Sequence, residues 1–222
     1  MVPQQLLARS HSTSNMMPVN GSGLKKAPAA PSDDSADPER AYLGTVKRMP
    51  EFSLSNKVVL VTGGARGLGL TQAEALLEAG ATVYALDRLP EPSPDFGYIA
   101  NRAETQLGTK LHYRQIDIRD VASLNKTIAE IGDTEGRLDG LIAAAGIQQE
   151  TAALDYTQED ANRMFEVNIT GTFMTAQAVA KQMIRFGKGG SICMIASMSG
   201  TVANKVSRSH FVLYLPLPCG LY

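Results

Sequence analysis

The sequence lacks the features that point to a membrane, a nucleic acid or a metal ion. Its formal net charge is −1 over 222 residues, so it offers no strongly basic surface to nucleic acid or anionic lipid. The two cysteines, Cys193 and Cys219, have the spacing of neither a metal site nor a redox pair. No apolar run approaches the roughly 20 residues that span a bilayer. We therefore expect a soluble protein of a reducing compartment, with no metal.

The first 50 residues show no hydrophobic periodicity. They are rich in serine, proline, alanine and asparagine, a composition that cannot offset the entropy cost of ordering the chain. We expect residues 1–50 to be a disordered leader. Up to Ser32 the leader has basic residues and no acid, as a mitochondrial transit peptide would. The expected compartment is the cytoplasm, with the mitochondrion as the alternative.

From Lys57 onward, short β-branched runs alternate with longer stretches rich in alanine, leucine and glutamate. This alternation is typical of βαβ units around a parallel sheet, whose buried strands are nearly all apolar. We expect an α/β fold with a Rossmann-like, doubly wound parallel sheet. The predicted strands are residues 58–62, 82–87, 111–117, 138–145 and 191–197, and the predicted helices are residues 68–78, 95–107, 121–135 and 158–185.

Three glycines, Gly63, Gly67 and Gly69, follow the first strand in VVLVTGGARGLG. Without Cβ atoms, the backbone approaches a pyrophosphate closely, and the helix start near Leu68 offers unpaired N–H groups and the positive end of its dipole. A glycine triplet also occurs in simple tight turns, but its place between a strand and a helix favours a dinucleotide site. No Lys-Ser or Lys-Thr follows the last glycine, which argues against a P-loop.

Asp87 ends the second predicted strand, 18 residues after Gly69. At this spacing a carboxylate accepts hydrogen bonds from the ribose hydroxyls of the adenosine half. Because a carboxylate repels a 2′-phosphate, the expected cofactor is NAD. Arg66 and Arg88 keep NADP open, since either guanidinium is able to pair with that phosphate.

Further along the chain, the segments QIDIRD, AAAG, VNITGTF and IASMSG follow in order. Together with TGGARGLG and Asp87 they resemble the classical short-chain dehydrogenase/reductase family over about residues 55–205. The resemblance implies an NAD(P)-dependent oxidoreductase of small alcohols and ketones, with residues 51–205 as its Rossmann domain. LDRLPEP and IASMSGTVANK are closest to the fungal polyol dehydrogenase and ketose reductase branch. Complete members form homo-oligomers, an assembly that the altered end of this chain puts in doubt.

The resemblance also assigns cofactor contacts to the ends of the third and fourth strands. Asp117 would bond the adenine amino group and Ile118 would flank the ring, although capping the next helix is a comparable role for Asp117. Ala145 and Gly146 would pass alongside the cofactor ribose. The family commonly has Asn-Asn-Ala-Gly where residues 143–146 are Ala-Ala-Ala-Gly, so we expect side-chain hydrogen bonds to neighbouring strands to be lost.

Two residues match catalytic positions of the family. Asn168 in VNITGTF corresponds to the asparagine that interrupts the long helix and positions a water in a proton relay; its alternative role is that of a satisfied polar group in the core. Ser197 in IASMSG corresponds to the serine whose hydroxyl bonds the reacting oxygen, with Ser199 as second choice. Satisfying the backbone at a strand end is the alternative role for either serine.

The family's tyrosine–lysine pair is not found at its expected place after Ser197. Hydride transfer develops charge on the substrate oxygen, so a proton donor or acceptor has to lie within hydrogen-bond reach. Tyr214 is the one tyrosine in the expected window, and the fourth residue after it is Pro218 instead of lysine. Prolines also exclude a regular helix there. We therefore expect the resemblance to stop near Lys205 and residues 206–222 to be a tail foreign to the family.

This tail has the character that a frameshift, a retained intron or an alternative 3′ end produces. We expect the sheet to be incomplete at its C-terminal edge and the oxidoreductase activity to be impaired. A dinucleotide-binding module without catalysis, or an unstable mis-spliced fragment, are the alternatives.

Overall fold

Five parallel strands form the centre of the structure, a computed structural model that describes residues 50–152 and 154–197. Residues 1–49 of the leader, Ser199, Tyr214 and the tail 206–222 lie outside these residues, so the expectations about them stay predictions. The strands are β1 (Val58–Thr62), β2 (Thr82–Asp87), β3 (Lys110–Gln115), β4 (Gly140–Ala143) and β5 (Ser191–Met194).

The strands lie in the order β3-β2-β1-β4-β5. The chain therefore winds outward from β1 in one direction through β2 and β3, and then in the other through β4 and β5. Every neighbouring pair is parallel. This is the doubly wound order of a Rossmann-like sheet, and the predicted fold class is confirmed.

Helices cover both faces of this sheet. They are α1 (Gly67–Glu78), α2 (Pro94–Arg102), α3 (Val121–Glu135), α4 (Gln158–Phe165) and α5 (Thr172–Phe186), with a 3-10 turn at Pro50–Phe52 and π-helical turns at Ala103–Leu107 and Glu166–Gly171. None of the helices in the described ranges is long and apolar enough to cross a membrane.

The surroundings of strand β1 explain why its first four residues are apolar. Val58 and Leu60 pack into a core with α3 and α5, whereas Val59 and Val61 pack into a second core with α1 and α2. All five residues of the strand are buried. A central parallel strand between two helical layers has no polar face, which is why the run VVLV predicted it correctly.

Most predicted elements agree with the structure, and the main differences come from tertiary contacts. Strands 58–62 and 82–87 and helix 121–135 have the predicted bounds. The predicted helix 158–185 is instead divided by the π-helical turn Glu166–Gly171. A Cβ on Gly171 would lie 2.8 Å from Ile118 Cδ1, so this stretch of the helix passes unusually close to the end of β3.

Candidate cofactor and active site

The predicted site residues that the structure describes lie in or next to the loops that follow the carboxyl ends of the strands. The chain reverses its winding direction between β1 and β4, which are neighbours in the sheet. In open α/β sheets, ligands bind outside the carboxyl ends of the strands at this reversal. The site is built from the loop after β1 and from those after β2, β3, β4 and β5.

The glycine turn after β1 is held by close backbone contacts. Gly63 has φ +70, and its amide donates to Leu86 O at 2.8 Å. A Cβ on Gly63 would lie 2.9 Å from Ala145 Cα, and a Cβ on Gly69 would lie 2.2 Å from Gly63 O. Side chains at these two positions would push the turn away from β4 and from α1.

The start of α1 is open to solvent. Gly67 has φ +55, and a Cβ placed on it would meet nothing within 4 Å. Arg66 is the N-cap residue and makes no side-chain capping bond, and Leu68 is 65% exposed. The first amides of α1 are therefore left for a ligand to approach.

Gly64 was not among the predicted site residues. A Cβ on this buried residue would lie 2.8 Å from Ala85 Cβ and 3.0 Å from Val61 O. The turn thus needs a glycine here to pack against β2. The doubled glycine in TGGARGLG was the available signal, but only the neighbouring strand explains it.

Asp87 joins the glycine turn to the loop after β2. Its Oδ2 accepts from the Ala65 amide at 3.2 Å, and its Oδ1 accepts from the Leu89 amide at 3.2 Å. The Ala65 carbonyl in turn accepts from the Ser93 amide at 3.0 Å, just before α2. The predicted ribose acid is therefore also a structural group that orders the phosphate turn.

The turn after β3 is organised by Asp117. Arg119 donates to both carboxylate oxygens of Asp117, at 2.6 to 3.0 Å, and this hydrogen bonding holds the pKa of Asp117 below its ordinary value. Helix α3 is capped by Asp120, which accepts from the Ser123 amide at 3.1 Å, and not by Asp117. Ile118 is 6% exposed and packs in the core.

A groove of about 670 Å³ lies beside this turn, between the loop after β2, the end of β3 and one side of α3. Arg88 and Leu89 line it on one side and Asp117 on another. The groove borders Asp117, the residue predicted to bond the adenine amino group. The adenine contacts of Asp117 and Ile118 remain predictions.

The alanines after β4 are anchored through the main chain. The Ala145 amide donates to Thr62 Oγ1 at 3.2 Å, and the Ile195 amide donates to Ala143 O at 3.1 Å. Thr62 is 1% exposed. From the sequence, only the loss of asparagine cross-links was predicted. The Thr62 hydroxyl on β1, which was not predicted, supplies one cross-link between β1 and the segment after β4.

Asn168 fixes the loop after β4. Its Oδ1 accepts from the Ile147 amide at 2.9 Å, and its Nδ2 donates to Ile147 O at 2.9 Å. A Cβ on Gly146 would lie 3.4 Å from Asn168 Oδ1, so the loop passes close to the amide. The residue is a satisfied polar group that positions backbone, and its role in a proton relay remains a prediction.

Ser197 follows β5 at the same edge of the sheet. It comes three residues after Met194, the partner of Ala143 in the register of β4 and β5. The serine is half-buried. This arrangement brings the loop that carries Ser197 beside the loop that Asn168 holds, as the predicted active site requires.

Known proteins share these features. Residues 57–210 match the family described as short chain dehydrogenase. A short chain dehydrogenase/reductase of Aspergillus versicolor is 35% identical over 159 residues, which are 69% of this chain and 53% of that protein. The sorbitol dehydrogenase of Cereibacter sphaeroides is 34% identical over 147 residues, which are 66% of this chain and 55% of that enzyme.

A solved structure agrees with the sequence relatives. The short chain dehydrogenase from Mycobacterium paratuberculosis, bound to NAD, superposes with a TM-score of 0.65 at 29% identity, covering 72% of this chain and 63% of that one. The present chain spans little more than half the length of the two curated relatives named above. Over more than half of its own length, with the sheet order and the glycine turn described above, the chain belongs to the short chain dehydrogenase family.

Proposed function

We propose that the carboxyl edge of the sheet binds NAD for the oxidation of an alcohol or the reduction of the corresponding ketone, an activity that is impaired in this chain because the tyrosine–lysine pair is not at its expected place. One observation carries the proposal: the Asp87 carboxylate and the glycine turn form a single hydrogen-bonded unit through the Ala65 amide. A phosphate-binding turn and a ribose-binding acid are thereby held at a fixed distance from each other. This pairing matches the adenosine ribose and the adjoining pyrophosphate of a dinucleotide.

The residues present fit this cofactor. The exposed start of α1 has room at Gly67, where a Cβ would meet nothing within 4 Å, and the positive end of a helix dipole favours a pyrophosphate there. Asp87 would accept hydrogen bonds from the ribose hydroxyls, and Ala145 and Gly146 would lie along the second ribose. The groove beside Asp117 would take the adenine ring.

The charge near the ribose favours NAD over NADP. The Asp87 carboxylate would repel a 2′-phosphate, whereas Arg66 and Arg88 are exposed and would attract one. Asp87 is already fixed by two backbone amides, while the Arg66 side chain has no hydrogen bond or ion pair among the described residues. The fixed carboxylate therefore decides the preference. That the related Mycobacterium paratuberculosis protein was solved with NAD supports the same choice.

The reaction proposed is transfer of a hydride from the alcohol carbon to NAD, which supplies the hydride acceptor when bound, while the hydroxyl proton passes to solvent because no tyrosine–lysine pair stands at its expected place. Ser197 would donate a hydrogen bond to the reacting oxygen, and Asn168 would keep the loop after β4 in place beside it. A polyol is the substrate class that we favour, because a sorbitol dehydrogenase is among the relatives and because LDRLPEP and IASMSGTVANK resemble polyol enzymes.

Cofactor titration tests the proposal. NADH and NADPH are titrated by fluorescence against the wild type, Asp87→Asn and the matched control Asp95→Asn, an exposed acid in the first turn of α2. Loss of a charged hydrogen-bond acceptor costs about 1.5–3 kcal/mol, so Asp87→Asn should weaken NADH binding about 10- to 100-fold and narrow or reverse the preference over NADPH. The control should bind like the wild type.

Two outcomes would count against the proposal. Tighter binding of NADPH than NADH by the wild type would contradict the cofactor, and equal effects of the two substitutions would contradict the role of Asp87. Activity assays with sorbitol and other alcohols separate an oxidoreductase from a dinucleotide-binding module without catalysis. A chain that binds NADH and turns over none of these alcohols supports the module.

A further inference from the structure

Tyr113 lies near the end of β3 and reaches the loop after β2. Its phenol donates to Leu89 O at 2.5 Å. The Leu89 amide in turn donates to Asp87 Oδ1 at 3.2 Å. Both polar atoms of the Leu89 backbone are therefore engaged, one by Tyr113 and the other by the acid that is predicted to bind the ribose.

A second side chain of β3 holds the neighbouring residue of the same loop. Gln115 Nε2 donates to Arg88 O at 3.3 Å. Tyr113 and Gln115 lie on the same face of the sheet, because side chains alternate along a strand. Two consecutive carbonyls of the loop, those of Arg88 and Leu89, are thus bonded to β3. Gln115 is exposed, whereas the bond from Tyr113 is partly buried and is better protected from water.

The Tyr113 ring is itself held in place. It meets the Phe96 ring of α2 edge to face, with centroids 5.5 Å apart and an angle of 75° between the ring planes. Burial, and then the nearby Asp87 carboxylate, raise the pKa of the phenol above its ordinary value. The hydroxyl therefore keeps its proton at neutral pH and donates it to Leu89. A fixed ring with a fixed donor determines where the Leu89 backbone lies.

Two backbone amides set the orientation of Asp87. The Ala65 amide belongs to the glycine turn, and the Leu89 amide belongs to the loop that Tyr113 holds. If the Leu89 backbone turned away, Asp87 would keep one of these donors and its carboxylate would be free to rotate.

We propose that Tyr113 is a positioning residue for the cofactor. Through Leu89 it fixes the Asp87 carboxylate in the orientation that accepts a hydrogen bond from the 2′-hydroxyl of the adenosine ribose. This inference rests on the proposed function and deepens it, because ribose recognition then depends on a residue outside the predicted site.

Ribose recognition is tested with AMP and 2′-deoxy-AMP, which differ only in the 2′-hydroxyl. Binding of each is measured by calorimetry on the full chain for the wild type, Tyr113→Phe and the matched control Tyr98→Phe, a tyrosine of α2 that is 64% exposed. Phenylalanine at position 113 keeps the ring contact and removes only the hydroxyl. Tyr113→Phe should weaken AMP binding about two- to tenfold, the contribution of one neutral hydrogen bond, and leave 2′-deoxy-AMP binding unchanged. The control should change neither.

A second measurement follows the loop without any ligand. Hydrogen exchange of the Leu89 amide, measured by NMR, should be faster in Tyr113→Phe than in the wild type, because local opening exposes an amide whose segment has lost a bond. A circular dichroism spectrum equal to that of the wild type shows that the fold of the variant is intact.

Three results would overturn the inference. Unchanged AMP affinity, or an unchanged exchange rate of the Leu89 amide, would show that the phenol does not fix the loop. Equal weakening for the two nucleotides would show a general effect on the fold instead of an effect on the Asp87 carboxylate.

Asp87→Asn, measured with the same nucleotides, separates this inference from the proposed function. If Asp87→Asn removes the preference for AMP and Tyr113→Phe does not reduce it, the inference alone is wrong. If the wild type has no preference for AMP, or if Asp87→Asn leaves the preference unchanged, the ribose role of Asp87 is wrong and the inference falls with it.

Discussion

Replacing Gly69 by alanine should break the cofactor turn while adding a good helix former. The added Cβ would lie 2.2 Å from Gly63 O and 2.7 Å from Gly63 C. Both are main-chain atoms, so no side-chain rotation relieves the contact. Ordinary contacts are longer by about an ångström, and α1 and the turn would have to separate by about this distance.

The expected magnitude is the balance of two effects. Overpacking costs about 1–3 kcal/mol, and exchanging glycine for alanine inside a helix returns about 1 kcal/mol. The variant should therefore lose up to about 2 kcal/mol of unfolding free energy. NADH binding should weaken about 10- to 100-fold, because each hydrogen bond from the displaced turn to a charged phosphate contributes about 1.5–3 kcal/mol.

Gly97→Ala is the matched control for this prediction. Gly97 lies in α2, where an added Cβ would meet nothing within 4 Å and φ is ordinary. The same substitution should stabilise the chain by about 0.5–1 kcal/mol there and leave NADH affinity unchanged. Urea unfolding and NADH fluorescence titration measure both quantities. A Gly69→Ala chain that binds NADH like the wild type and unfolds at the same urea concentration would refute the reasoning.

Two further predictions concern stability. Asp139 is 8% exposed in its side chain and is bonded by Arg137, Lys57 and the Val58 amide; burial opposes its ionisation, but these partners hold its pKa below the ordinary value. Asp139→Asn should therefore lower the free energy of unfolding by about 2–4 kcal/mol at pH 7. Urea unfolding between pH 7 and 3 should show the difference between the variant and the wild type shrinking as the pH falls toward the lowered pKa of Asp139. A difference that stays constant over this range would contradict the prediction. Thr62→Val should lower the free energy of unfolding by about 1–3 kcal/mol, because it leaves the Ala145 amide unpaired. Chemical denaturation measures this loss, and an unchanged unfolding midpoint would show that the bond contributes nothing to stability.

Local signals in the sequence were sufficient where an element's surroundings are uniform. Strand β1 lies between two apolar layers, so its valine and leucine side chains are buried in apolar surroundings on either face of the sheet. Helix α3 begins after Asp120, which caps it, and ends before Gly136, which has φ +65. The residues that cap a helix lie next to it in the sequence. The bounds 121–135 could therefore be predicted from local signals, and they are confirmed.

Distant contacts decide what the sequence could not predict. Gly171 breaks the regularity of a long helix beside Ile118, which lies 53 positions earlier in the chain, and no window around Gly171 contains that contact. Gly64 is required by Ala85 of the next strand. The hydroxyl of Thr62 supplies one bond to the segment 143–146, where the missing asparagines predicted only lost bonds. The domain bounds 51–205, the compartment and the oligomeric state stay predictions.

Two of the polar residues predicted for the site, Asp87 and Asn168, bond the backbone of neighbouring loops. Asp87 holds the Ala65 amide of the phosphate turn, and Asn168 holds both polar atoms of the Ile147 backbone after β4. Truncating either residue would move a loop as well as remove a functional group, so a loss of activity alone would not assign a catalytic role. A change that keeps side-chain shape, such as Asp87→Asn, removes the charge and also replaces one of the two acceptor oxygens by a donor, so either the Ala65 or the Leu89 amide loses its bond. Ligand affinity and unfolding free energy, measured on the same variant, then separate positioning from chemistry.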